Sequence, residues 1–197
     1  MANLQAESID RLNDQMDIKL SFDEIFSAMS AEEKESMHEN LIMMHECQRV
    51  LANTKHSIVS EMLRFTEKFQ YWKHVPPKDV LDGHSHSQFY YHAHPIANEK
   101  SATNLHDGEH GHFHSFMRQR GRLDNEKPYP ALDYDAETDD LKRHTCHIIG
   151  LSMNKAGALT GMFTTNRWVT GEVWYKAEDV IAMAERYQID HAQPSWP

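Results

Sequence analysis

The chain's first proline is Pro76, with Pro77 directly after it, and the hydrophobic pattern changes period across this pair. Proline cannot continue a helical hydrogen-bond ladder, so Pro76-Pro77 closes whatever helix precedes it. Upstream, Ser30 and Glu33 have capping-box spacing, which predicts a helix starting at Ser30. Met37, Met44, Leu51, Ile58, Phe65 and Trp72 then recur every seven residues, and Leu41, Met62 and Phe69 fill a companion row that Gln48 and Lys55 interrupt. This is an amphipathic stripe. Unbroken to His74 it would span about 65 Å at 1.5 Å per residue. That is too long for a small domain, so a bend is expected near Ala52-Asn53-Thr54, or a second copy of the stripe in a homodimer. Earlier helices are expected around Ala6 to Lys19 and Phe22 to Met29.

Downstream the period is two. Ser87 to His94, His112 to Met117, Thr145 to Met153, Leu159 to Thr165 and Trp168 to Tyr175 read as strands, with a hairpin turn at Asn154 to Gly157. A last helix opens at Lys176, with Val180, Ile181, Met183, Ala184 and Tyr187 as its apolar positions, and Arg120 to Asp140 is polar and loop-like. The fold class is α+β: long N-terminal helices over residues 1–77 packed on an antiparallel sheet over 78–197, which could close into a barrel, with a C-terminal helix. The halves are expected to form one integrated domain, with the N-terminal stripe covering the sheet or meeting a second chain.

Eight of the chain's 15 histidines fall between His84 and His114, as His84/His86, His92/His94 and His110/His112/His114 with His106 between. On a strand, residues two apart share a face, so each pair projects its imidazoles side by side. Neighbouring imidazoles repel when protonated, and a bound cation removes that cost. His92, His94, His112 and His114 are therefore the expected ligands. His147 is expected to join them on the face it shares with Thr145, Ile149, Leu151 and Met153. His84, His86 and His110 stand beside Gly83, Ser85 and Gly111 in loop-like contexts, and His38, His45 and His56 are expected to be solvated. All-nitrogen ligation suits one transition ion, Fe, Cu or Zn, and disfavours Mg and Ca. Asp82, Asp107, Glu109 or Glu172 could ligate, act as a base or orient an imidazole.

A second cluster follows Phe163. Arg167 could fork onto an anionic substrate, with Thr164, Thr165, Asn166 and Trp168 completing the clamp; Arg167 paired to an internal acid such as Glu172 is the alternative. Arg167, Glu172 and the Tyr91 phenol are the candidate catalytic groups. No His-Glu-x-x-His helix, Gly-x-Ser-x-Gly elbow, P-loop or dinucleotide fingerprint occurs.

A net charge of −10 argues against a nucleic-acid partner, and no apolar run is long enough to cross a membrane. Cys47 and Cys146 alone cannot build a disulfide scaffold. With no secretory signal at the N-terminus, the expected setting is cytoplasmic. The expected function is a metalloenzyme, an oxidoreductase using non-haem iron or copper on a small molecule. A metal carrier or sensor is the alternative, and a zinc hydrolase or lyase a lesser one.

The Tyr91-His92-Ala93-His94-Pro95, Glu109-His110-Gly111-His112-Phe113-His114 and Phe163-to-Glu172 motifs resemble an uncharacterised bacterial family that carries a domain of unknown function. The resemblance covers about residues 60 to 190 and implies no activity. A weaker likeness is to cupins, which carry His-x-His followed by Glu and a distant His.

Overall fold

A computed structural model describes residues 21–64, 66–95, 108–129 and 145–190. The expected helix at Ala6 to Lys19, and Phe65, His106 and Asp107, lie outside the described residues. The chain divides into two compact units, residues 1–50 and 51–197.

The first unit contains α1 (Phe22–Ala28) and most of α2 (Ala31–Asn53). The capping box is in place. Ser30 Oγ accepts from Glu33 N–H at 3.1 Å, and Glu33 Oε2 accepts from Ser30 N–H at 2.7 Å. Neither α1 nor α2 buries a side chain, and Met37, Leu41 and Met44 remain about half exposed.

The helix does not run to His74. Lys55 turns left-handed at φ 61°, and His56 N–H returns to the Leu51 carbonyl at 2.9 Å, which closes α2 where the bend was expected. A separate short helix, α3 (Ile58–Leu63), restarts behind a capping box of Ser57 and Ser60. Trp72, expected on the helical stripe, instead has φ 65°.

Five strands form one antiparallel sheet in sequential order: β1 (Val75–Leu81), β2 (Ser87–Ala93), β3 (Glu109–Arg118), β4 (Thr145–Asn154) and β5 (Leu159–Phe163). β1 was not anticipated, because Pro76-Pro77 reads as a stop. The strand tolerates both prolines because it is an edge, with β2 as its one partner among the described residues. The sheet is open rather than a barrel: β1 and β5 are its two edges and do not pair with each other. The expected strand from Trp168 to Tyr175 is instead a short helix, α4 (Arg167–Thr170), followed by Gly171 at φ 67° and an irregular stretch. That stretch still touches β4, where Val173 N–H donates to the Thr145 carbonyl at 2.8 Å.

One sheet face is apolar. Val59 and Met62 of α3 pack on Val75, Tyr91, Ala93 and Met153. Met183 of the last helix, α5 (Ala177–Glu185), joins Met117, Cys146, Ile148, Val173 and Tyr175 in a second cluster. Each fully buried side chain of this size contributes about 1.5–3 kcal/mol. The other face carries the histidines.

Candidate metal centre

Strand register decides which side chains meet. His92 pairs opposite His112, and Tyr90 opposite His114, so these four occupy one face of β2 and β3. Gly150 and Ser152 of β4 sit opposite His114 and His112 on that face. Two register slips then change what strict alternation would give. Ser115 pairs with Ile149 but Phe116 pairs with His147, so Ile148 is an extra residue. The bulge moves His147 off the face of Ile149, Leu151 and Met153 and onto the histidine face. Of its expected company it keeps Thr145 and loses Ile149, Leu151 and Met153, and it does reach the other imidazoles. The second slip lies between Gly111 and Glu109, with His110 as the extra residue. It brings Glu109 beneath His112, while His110 meets the Tyr91 hydroxyl at 2.7 Å.

The donor atoms converge on His112. Its Nε2 lies 2.6 Å from His92 Nε2 and 3.3 Å from His94 Nε2. Donors on a tetrahedral ion with bonds of about 2.0–2.1 Å sit roughly 3.4 Å apart, so small side-chain rotations would admit one. His112 Nδ1 lies 2.9 Å from Glu109 Oε1, which fixes the tautomer: Nδ1–H donates to the carboxylate and Nε2 offers its lone pair. Two overlapping sets result, His92/His112/His114 and His94/Glu109/His112, each with donor atoms within 4.8 Å of one another.

His147 stands behind His114, with Nε2 3.0 Å from His114 Nδ1. Glu172 is tied to the same place, accepting from His147 N–H at 2.8 Å and from the Thr165 hydroxyl at 2.9 Å.

Aromatic rings enclose the cluster. The Phe163 ring stands 4.9 Å from His112 and 5.6 Å from His114, while Trp72 lies 4.3 Å from His94. His74 stacks on Tyr90 at 3.6 Å and bonds Asp79 at 2.8 Å. His94, His112, His114 and His147 are buried, and His92 is the partly exposed one of the five. Trp72 and His74 also line a cleft of about 820 Å³, with Met62, Lys73, Val75 and Pro76.

Burial, reinforced by neighbouring imidazoles, favours the neutral form of His92, His94, His114 and His147. His92 is pushed down to about 3 by burial, then by His112, His94 and His74. Burial lowers His94 and His147 to about 4, each helped by His112, with Glu109 opposing the shift at His94. His114 is lowered by the same causes. Neutral imidazole is the form that binds metal. Burial pushes Glu109 up, but the His112 bond, the nearby Ser152 hydroxyl and the adjacent imidazoles bring it below the usual carboxylate value. Burial raises Glu172, and the bonds from Thr165 and His147 N–H offset only part of that.

The remaining expected site residues are dispersed. Tyr91 is fully buried on the apolar face, away from the histidine face, because it is odd-numbered in β2 where His92 is even. Thr165 is engaged by Glu172, and Thr164 and Asn166 are exposed. The side chains of Arg167 and Trp168 lie outside the described residues. Asp82 serves the β1–β2 turn, accepting from the backbone N–H groups of His84, Ser85 and Asp190. Trp72 and His74 were missed, since the seven-residue stripe read Trp72 as helical and no signal in the sequence announced β1.

Residues 38–197 match the family described as a domain of unknown function (DUF6969), and the chain belongs to that family. Nothing among curated proteins or solved structures matches it.

Proposed function

We propose that this chain is a metal-dependent oxidoreductase using iron or copper, with a transition ion held by His92, His112 and His114. The observation that carries this reading is the convergence of three largely buried imidazoles whose donor atoms lie within 4.8 Å of one another. Three nitrogen donors leave room for a substrate or water on the ion, as catalytic sites require. The half-buried edge at His92, and the Trp72–His74 wall shared with the cleft, support a small-molecule substrate reaching that position. An anionic group on the substrate would meet Arg167, with Thr164, Thr165, Asn166 and Trp168 alongside, and Glu172 and Tyr91 would act through neighbours rather than on the ion.

A carrier or sensor is the second reading, favoured by His94 Nε2 at 3.3 Å from His112 Nε2, which would close the ion off. The deciding experiment is metal content and coordination number of protein purified without nickel resin. An ion with a water ligand, lost in a His92→Ala/His112→Ala/His114→Ala variant, supports the enzyme. A saturated four-histidine ion supports the carrier, and undiminished metal in the triple variant rules out both.

A further inference from the structure

Glu109 is 1% exposed, and its ion-pair partners among the described residues are two imidazoles, His112 at 2.9 Å and His94 at 3.9 Å, with no lysine or arginine. A buried carboxylate paired only with imidazoles lacks a permanent counter-charge. His94 is 4% exposed, and its Nδ1 has no hydrogen-bond partner. These two residues and His112 form a donor set of their own, distinct from His92/His112/His114 except for the shared ring.

An imidazole has two nitrogens on opposite edges, and each can serve one ion. His112 turns Nε2 towards His92 and Nδ1 towards Glu109. Two ions cannot use one lone pair, so both sets can be filled together only with an ion at each nitrogen. We propose that the chain holds a second transition-metal ion, at Glu109, His94 and His112 Nδ1, so that His112 bridges two ions. The second ion takes the place of the Nδ1 proton, which leaves to solvent, and it supplies the positive charge that Glu109 lacks. A carboxylate with two nitrogens is a mixed donor set that suits iron, zinc or copper.

This inference rests on the first ion being at His92, His112 and His114, and the two can fail separately. Metal-free protein is loaded with excess Cu(II), passed over gel filtration and analysed for metal. Wild type is expected to keep one ion more than Glu109→Gln, because the amide still accepts from Nδ1–H but lacks the carboxylate charge. His94→Ala is expected to lose the same ion, whereas His92→Ala/His114→Ala loses the other. In wild type the paramagnetic resonance signal should grow with the first equivalent of copper and fall with the second, as two coppers couple through the ring. That readout needs no variant to fold.

If wild type and Glu109→Gln retain equal copper, or the signal climbs through two equivalents without loss, the second site is overturned and the first stands. Retention of no copper by wild type overturns both.

Discussion

A buried histidine that stays neutral costs the folded state little at pH 7.5 and much at pH 5. The unfolded chain protonates its histidines near ~6.5. The folded chain does so only near 3 for His92 and near 4 for His94 and His147. Between those values the unfolded state binds more protons, so stability must fall as pH drops from about 6.5 towards 4. Metal-free protein is therefore expected to show a lower urea midpoint at pH 5 than at pH 7.5, with a slope of more than one proton; an unchanged midpoint would mean that the cluster is open to solvent.

Asp82 titrates with the opposite sense, being held down to about 2 chiefly by its bond from Ser85 N–H. Its contribution is present above about 4 and is lost as pH falls through 2, well below the histidine window.

Gly150 gives a second test at this scale. A Cβ there would strike the Phe163 ring, which faces His112 and His114. Removing a glycine from a strand normally gains about 0.5–1 kcal/mol, while overpacking costs about 1–3 kcal/mol. The clash dominates, so Gly150→Ala should lower both the urea midpoint and metal retention.

Among the strands, the histidine and aromatic alternation in β2 and β3 was legible in the sequence because those strands pair in register over the stretch that carries it. Glu109's placement beneath His112 was not legible. Counting by twos puts Glu109 on the face of Gly111 and Phe113, and only the bulge at His110 reverses it. The same limit explains His147, whose neighbours could be counted only if Ile148 were paired. β1 stayed hidden because edge pairing, which makes Pro76-Pro77 tolerable, is a property of the sheet rather than of the local sequence.

The two sheet faces should also separate in experiment. Met62 of α3 and Met183 of α5 lie in the apolar clusters on the side away from the histidines. Met62→Ala and Met183→Ala should each cost about 2–5 kcal/mol through the cavity left behind. Bound metal per folded chain should not change, and a loss of metal in either variant would show that the two faces are coupled.

In the molecule as a whole, both apolar clusters and every candidate ligand among the described residues belong to the unit of residues 51–197. No described helix is long and apolar enough to cross a membrane. The helices of the first unit bury no side chain, yet α2 presents Met37, Leu41, Ile42, Met43, Met44 and Val50, each between 45% and 65% exposed. An isolated helix draws most of its stability in proteins from packing rather than propensity, so these exposed side chains of α2 have much to gain from a second copy. A chain lacking residues 1–50 is therefore expected to keep its metal and its cooperative unfolding, because both apolar clusters and the candidate ligands lie in residues 51–197. Light scattering should find the full-length chain dimeric and the shortened one monomeric. A shortened chain that loses metal would tie the centre to the first unit, and a full-length monomer would leave the α2 stripe without a role in self-association.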